Sequence, residues 1–221
     1  MKRSPIHFET GLTCVNKNAI ICVNKNAKRI LLMRNNTYVK LERFYKTYRG
    51  YVDTRKLLEE GFSNRQITVL AEEGYLEKVS YGHYWLSRGQ YTKPQDYKCI
   101  EVCLSNPRAV ICMDSALYYQ KVFTEEPEYL SIATERTDRS MMKMNFPTRR
   151  HYFSSSNFQI GRTKKETEFG CYYIYDIERS ICDMRRLEPQ ITLEFIDCVK
   201  NNEQQYKRLL KYAKLLRVKQ F

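Results

Sequence analysis

The side chains best suited to reading nucleic acid stand together at the start of one predicted helix. Asn64, Arg65 and Thr68 are expected on its outward face, beside Ser63 and Gln66. Arginine can bond guanine O6 and N7, and asparagine can bond adenine N6 and N7. The N-terminal residues of a recognition helix are the ones that reach such base edges. This group is therefore the candidate site for base recognition, although the Gln66 amide could instead cap the helix.

Cations and hydrogen-bonding groups near this helix in the sequence could contact phosphate or the minor groove. They are Lys78, Tyr81 and His83 on a predicted hairpin, and Lys40, Arg43, Lys46 and Arg49 on or beside an earlier predicted helix. Such contacts fix the position of a protein on DNA without reading its sequence. The alternative is that these side chains form a solvated face on a domain that binds protein.

A second cluster of charge follows a predicted strand in the last quarter of the chain. Its three carboxylates, Asp176, Glu178 and Asp183, could hold Mg²⁺ in a nuclease. The spacing favours a structural role, because Asp176 stands where a helix needs an N-cap. Asp183 is four residues after Arg179 and three before Arg186, so helical ion pairs can neutralise it. Contact with a partner protein is the second interpretation, and catalysis is the least favoured.

The last predicted helix, 203–217, is basic and amphipathic. Its outward side chains Lys207, Lys211 and Lys214 could bind an acidic partner, DNA or a membrane surface, although an ordinary solvated face is the preferred interpretation. The residues expected to be buried are Tyr206, Leu209, Leu210, Ala213 and Leu216.

Chemistry that depends on a metal or a cofactor is not indicated. The chain has 8 cysteines and 3 histidines without a Cys-x-x-Cys pair, and it has no Gly-rich phosphate loop and no nucleophile motif. Cysteines within apolar stretches behave as small core residues, so reduced and mostly buried thiols are expected. We therefore predict no metal site, no cofactor and no enzymatic activity.

Three helices are predicted around the candidate base-reading group. An apolar stripe predicts the first helix over 35–49. Asp53 can cap a short second helix that Gly61 ends. Ser63 and Gln66 have the spacing of a capping box at the start of the third helix.

Two predicted strands, over 75–79 and 84–86, follow the third helix. A pair of helices joined by a glycine-containing turn and followed by a hairpin is typical of a winged helix-turn-helix. The predicted fold class is therefore α+β. An N-terminal winged helix-turn-helix would precede a mixed α/β domain that has a small sheet and C-terminal helices.

The 221 residues are predicted to divide into a basic N-terminal extension (1–34), the winged helix-turn-helix (35–90) and the α/β domain (91–221). In the last of these, the predicted helices are 95–104, 114–121, 176–187, 191–200 and 203–217. The predicted strands are 109–112, 129–134, 148–153 and 171–175, with a polar hairpin over 161–168. The extension contains the repeat CVNKNA at 14–19 and 22–27.

The excess positive charge is concentrated towards the two ends of the chain. Lys and Arg number 38 against 25 Asp and Glu, a formal charge of +13, of which residues 1–50 carry +9 and residues 161–221 carry +4. This distribution favours a polyanionic partner such as DNA. No apolar run approaches the roughly 18–20 residues of a membrane span, so we expect a cytoplasmic protein without a membrane partner.

The sequence resembles the AbiEi family of antitoxins over about residues 35–217. The matching segments are 50–52, 61–63, 74–79 and 82–86 in the winged domain, with Leu57 and Leu70, and 106–111, 114–117, 127–129 and 176–186 in the C-terminal domain. The segment Asp-x-Glu-Arg-Ser-Ile-Cys-Asp after a strand is the most specific of these.

The resemblance implies an antitoxin of an abortive-infection toxin–antitoxin system. Its winged helix would bind repeats in its own promoter as double-stranded DNA and repress transcription. Its C-terminal domain would counter a nucleotidyltransferase-like toxin. The alternatives from other classes are a stand-alone protein-interaction module, a transcription regulator with no toxin partner, and a metal-dependent nuclease. The operator sequence and the oligomeric state do not follow from the residues.

Overall fold

The computed structural model describes residues 36–89, 91–187, 196 and 199–219, and it divides the chain into two compact units, 1–47 and 48–221. In the first unit, helix α1 covers residues 36–47, close to the predicted 35–49. Leu41 and Phe44 of its apolar stripe are buried, as that stripe requires. The predicted extension 1–34, with its repeat, lies outside the described residues.

The second unit begins with a small sheet and two short helices. In chain order these elements are β1 (Tyr51–Asp53), α2 (Thr54–Glu59), α3 (Asn64–Glu72), β2 (Leu76–Ser80) and β3 (His83–Leu86). The strands are antiparallel in the order β1-β3-β2. The two helices and the β2–β3 hairpin confirm the predictions for this segment. Strand β1 was not predicted, because three residues are too few to show an alternating pattern.

Local sequence signals set the limits of α2 and α3. Asp53 caps α2, since its carboxylate accepts a 2.7 Å hydrogen bond from a backbone N–H of the first turn. Leu57 is fully buried, whereas Leu58 is 43 % exposed, because this six-residue helix turns only one face inward. Phe62 and Ile67, on either side of the α3 cap, are both buried.

A five-stranded mixed sheet with flanking helices follows. Its elements are α4 (Tyr97–Ser105), β4 (Val110–Ile111), α5 (Met113–Tyr119), β5 (Leu130–Glu135), β6 (Thr148–Phe153), α6 (Ser155–Phe158), β7 (Arg162–Thr167), β8 (Gly170–Tyr175), α7 (Ile177–Leu187) and α8 (Glu203–Leu216). The strand order is β6-β5-β4-β8-β7, with β4 parallel to β8 and antiparallel to β5. The chain thus has a mixed α and β structure with two sheets. None of the described helices has the length and apolar character to cross a bilayer.

Successive residues of the central strands pack into two different cores. Val110 of β4 belongs to the core built with α7 and α8, and its neighbour Ile111 belongs to the core built with α4. This alternation follows from the two-residue period of a strand, so the sheet forms the layer between these helices. Of the five cysteines in the described segments, all free thiols, four are buried and Cys171 is exposed, which agrees with the expectation of mostly buried thiols.

Residues 161–168 do not form the predicted hairpin. They contribute the single strand β7, which pairs antiparallel with β8 along its whole length, and the turn lies at Glu168 and Phe169. Most of β7 is exposed, because it is an edge strand, and its polar residues therefore gave no sign of belonging to the main sheet. The predicted helix 191–200 lies largely outside the described residues.

A partly buried charge network joins the small sheet to α4. The Glu101 carboxylate is 1 % exposed and lies 2.7 Å from Lys93 Nζ, and it accepts a hydrogen bond from the Tyr51 hydroxyl at 3.1 Å. Lys93 also donates to Glu77 on β2 at 2.6 Å. Burial raises the pKa of Glu101, although Lys93 and Tyr51 act in the opposite direction. The predicted boundary after residue 90 therefore lies inside the second unit, and the domain limits 1–34, 35–90 and 91–221 stay predictions.

Aromatic packing reinforces this junction. The ring of Trp85 on β3 lies 5.9 Å from that of Phe169 in the β7–β8 turn, and Phe169 also lies 6.1 Å from Tyr91. Gly50 has a φ of +69°, and a Cβ there would come within 2.7 Å of Phe169 and 2.9 Å of Trp85. Both the backbone conformation and the close approach therefore require glycine at this position.

Replacing Lys93 with methionine should lower the free energy of unfolding by about 1–3 kcal/mol, because the buried Glu101 carboxylate loses its cation. Urea unfolding followed by circular dichroism measures the change. The matched control is Lys98→Met, whose Glu126 partner is 46 % exposed and which should cost less than about 1 kcal/mol. Equal losses in the two variants would show that the buried network contributes no more to the free energy of unfolding than an exposed ion pair does.

Candidate nucleic-acid interface

The capping box at the start of α3 fixes the position of the predicted base-reading group. The Ser63 hydroxyl accepts a hydrogen bond from the Gln66 backbone N–H at 3.3 Å, and Gln66 Oε1 accepts one from the Ser63 backbone N–H at 2.8 Å. Two N–H groups that the helix cannot itself satisfy are thereby paired. The carbonyl oxygen of the Gln66 amide is thus engaged in the cap, which confirms the predicted capping box.

Three side chains of α3 lie at the surface as the sequence predicted. Asn64, Arg65 and Thr68 are all exposed. The Thr68 hydroxyl donates to the Asn64 carbonyl at 3.0 Å, so its proton is used within the helix. Within the described segments, the Asn64 amide and the Arg65 guanidinium have no hydrogen bond or ion pair of their own. These two groups are therefore the most available for contact with a ligand.

The β2–β3 hairpin carries the remaining predicted residues of this region. Tyr81 at its tip is 95 % exposed, and Lys78 on β2 is exposed as well. His83 is half-buried, with Nδ1 3.2 Å from both Ser80 Oγ and the Tyr81 carbonyl. Its ring therefore stabilises the turn. Asn145, in the β5–β6 loop, donates a hydrogen bond to the Lys78 carbonyl at 2.8 Å and so connects the hairpin to that loop.

The four cations predicted beside the first helix fall into two groups. Arg43 and Lys46 on α1 are exposed and Lys40 is half-buried, and all three belong to the first unit. Arg49 belongs to the second unit, where its Nη1 lies 3.3 Å from a Glu168 carboxylate oxygen and its guanidinium lies 5.2 Å from the Tyr91 ring centroid. Arg49 is thus already bound within the protein.

The second charge cluster is organised around a buried ion pair. Arg179 is fully buried, and its Nε donates to Asp183 Oδ2 at 2.8 Å, as the four-residue spacing predicted. Its Nη1 donates to the carbonyls of Asn157 at 2.5 Å and Ile160 at 2.8 Å. The guanidinium also lies 4.4 Å from the ring centroid of Tyr175. One side chain therefore ties α7 to the loop before β7 and to the end of β8.

The other two carboxylates of this cluster have different partners. Asp176 caps α7 by accepting from the Arg179 backbone N–H at 2.8 Å, and it also accepts from the Tyr212 hydroxyl at 3.0 Å. Glu178 accepts from Arg208 Nε at 3.0 Å. The carboxylates are thus each held by separate donors on α7 or α8. In the part of the chain that the structure describes, no group of three His, Cys, Asp or Glu side chains is placed to hold a metal ion.

Burial sets the protonation behaviour of this cluster. It raises the pKa of Asp183 to about 6, against the opposing charge of Arg179. It also raises the pKa of Asp176, against the hydrogen bonds that this carboxylate accepts. Carboxylates so paired and enclosed are suited to holding α7 in place, which favours the structural interpretation of the cluster. Arg186 is exposed and forms no close ion pair with Asp183, but its positive charge acts to lower the pKa of that carboxylate, in the direction that the predicted pairing requires.

The sequence did not predict two residues of α8 that complete this cluster. Tyr212 and Arg208 bind Asp176 and Glu178 from more than 25 residues away, and no local spacing signals such contacts. Leu210 was predicted to be buried but is 45 % exposed, because α8 turns Leu209 and Ala213 inward instead.

The predicted cations of α8 lie at the surface. Lys207, Lys211 and Lys214 are all exposed, and Lys207 pairs with Glu203 at 2.6 Å.

No protein-family model and no curated protein matches the chain. The function must therefore be argued from the geometry and from the residues themselves.

Replacing Asp183 with asparagine should lower the free energy of unfolding by about 3–5 kcal/mol, because it leaves the Arg179 charge buried without a counterion. Chemical denaturation at neutral pH measures this loss. Glu178→Gln is the matched control: its partner Arg208 is 48 % exposed and can turn to water, so the loss should stay near 1 kcal/mol or less. A loss below 1 kcal/mol for Asp183→Asn would contradict the central role assigned to the pair.

Proposed function

We propose that this protein is a sequence-specific DNA-binding antitoxin that represses its own promoter. In this proposal residues 35–90 act as a winged helix-turn-helix, and α3 enters the major groove with its N-terminal end towards the bases. The observation that carries the proposal is the start of α3, where a complete capping box leaves the Asn64 amide and the Arg65 guanidinium exposed and uncommitted.

The arrangement around α3 supports this function. Two short helices lie between β1 and β2 of a three-stranded antiparallel sheet, and the β2–β3 hairpin projects the exposed Tyr81 at its tip. In a winged helix-turn-helix, this hairpin would lie along the sugar–phosphate backbone, where Lys78 could neutralise a phosphate. His83 supports the hairpin by stabilising its turn. Arg49 forms an ion pair with Glu168.

The distribution of charge is compatible with a polyanionic partner. The chain carries a formal charge of +13, and residues 1–50 account for +9 of it. The exposed Arg43 and Lys46 on α1 belong to this basic segment. Non-specific attraction to phosphate would come from such residues, whereas Asn64 and Arg65 would select the sequence.

The antitoxin part of the proposal depends on the resemblance of residues 35–217 to AbiEi proteins. The 176–186 segment, its most specific mark, lies mostly inside the protein, where Arg179 and Asp183 pair. We therefore assign that segment to the framework of the C-terminal domain, and assign contact with a nucleotidyltransferase-like toxin to exposed surfaces such as the Lys211 and Lys214 face of α8.

A gel-shift assay with the DNA upstream of the gene tests the DNA-binding part. Binding should weaken steeply as salt rises, because phosphate contacts release counterions. Arg65→Ala should remove about 1–3 kcal/mol of discrimination against an unrelated duplex. Lys46→Ala should weaken binding to both duplexes alike and reduce the salt slope by about one.

Lys211→Ala is the control for this assay, since it removes the same charge from α8. The base-reading role of α3 is wrong if Arg65→Ala and Lys211→Ala have the same effect. Absence of any DNA binding by the unaltered protein at low salt would favour a protein-interaction module instead.

Co-expression with the product of the adjacent open reading frame tests the antitoxin part. Cells that make that product alone should stop growing, and cells that make both proteins should grow. Lys211→Glu combined with Lys214→Glu should reduce the rescue, because the two changes reverse the charge of the exposed α8 face. An adjacent product that does not affect growth would leave a DNA-binding regulator without a toxin partner.

A further inference from the structure

A cleft in the second unit has no part in the DNA-binding surface. It has a volume of about 720 Å³ and lies where α6 meets the C-terminal ends of α7 and α8. Its polar lining includes Ser154, Ser156, Arg186 and Arg217, and its apolar lining includes Leu215 and Leu216. A volume of this order, with a few convergent polar groups beside an apolar wall, is typical of small-molecule sites.

Two cations, Arg186 and Arg217, line this cleft. Neither Arg186 nor Arg217 has an ion pair or a side-chain hydrogen bond within the described residues, and both are exposed. Two other cations of α8 do have partners: Lys207 pairs with Glu203 and Arg208 pairs with Glu178. The two guanidinium groups are therefore available to an anion that enters the cleft.

The backbone at Arg217 allows its side chain to be tested separately from the helix end. This residue ends α8 in the left-handed conformation, with φ 56° and ψ 40°. Glycine is the residue that this position of a helix end favours, because a Cβ makes the conformation unfavourable. An arginine therefore occupies a position that glycine would suit better.

Another part of the cleft lining is held in place by the buried Arg179. Asn157 and Ile160 both line the cleft, and their carbonyls accept hydrogen bonds from Nη1 of the buried Arg179. The hydroxyls of Ser154 and Ser156 lie 3.2 Å apart at the same wall. A rigid wall limits the ordering that binding would cost.

We propose that this cleft binds an organic phosphate, such as a nucleotide. The phosphate groups lie between Arg186 and Arg217, whose planar guanidinium groups match phosphate oxygens in pairs. The serine hydroxyls donate to the remaining oxygens, and the apolar part of the ligand lies against Leu215 and Leu216. The competing explanation is that both arginines only stabilise the negative ends of α7 and α8.

Isothermal titration calorimetry of the full chain with ATP and with inorganic pyrophosphate tests the proposal. Both ligands should bind, ATP more tightly because it alone reaches the apolar wall. Arg186→Gln should weaken the binding of both at least about tenfold, the effect of losing one charge-assisted contact. Lys214→Gln is the control, since it removes one exposed charge from α8 and Lys214 is not among the residues that line the cleft.

Arg217→Gly separates a ligand role from a structural one. It removes the guanidinium and at the same time relieves the left-handed backbone, so its thermal midpoint should equal or exceed that of the unaltered protein while the affinity for ATP falls. A lowered midpoint with unchanged affinity would overturn the proposal in favour of helix-end stabilisation.

Further results would also overturn the proposal or a part of it. No heat of binding up to millimolar ATP, or equal weakening by Arg186→Gln and Lys214→Gln, overturns the site. Equal affinity for ATP and pyrophosphate overturns the role of the apolar wall. If Arg186→Gln weakens duplex DNA binding in a gel shift but leaves ATP binding intact, these arginines contact the DNA backbone. That result would overturn the small-molecule assignment.

Discussion

The buried pair of Arg179 and Asp183 is the interaction on which the C-terminal part of the second unit depends. An arginine can be fully buried only if its charge and most of its N–H groups are satisfied, and here a carboxylate, two carbonyls and two aromatic rings do so. Gly161 is part of the same constraint, because a Cβ at that position would lie 2.6 Å from Arg179 Cβ. Strand β8, helix α7 and the loop before β7 are thus all held together by the Arg179 side chain.

Elements whose signals are local could be predicted from the sequence. The capping box of Ser63 and Gln66, the Asp53 cap and the i,i+4 pair of Arg179 and Asp183 all involve residues within one helical turn. Helices α1 to α3, the β2–β3 hairpin and most of the larger sheet followed from such signals. The exposure of Asn64 and Arg65 followed from the same helical periodicity.

What the sequence could not predict depends on contacts between distant residues. Strand β1 exists because β3 offers it a partner, and β7 belongs to the sheet because β8 pairs with it. The ion pair of Arg49 with Glu168 was not predicted, because Glu168 lies 119 residues away in the sequence. Neither the strand pairings nor the Arg49–Glu168 ion pair leaves a periodic pattern in the sequence.

The contacts between the small sheet and α4 affect how this architecture could change. A helix-turn-helix attached by a flexible linker can be exchanged between proteins as a cassette. Here a cut after residue 90 would separate Tyr51 and Glu77 from Lys93 and Glu101 and would strip Phe169 from Trp85. The two sheets therefore constrain each other in evolution, because a change in one of them must preserve the charges and rings through which it contacts the other.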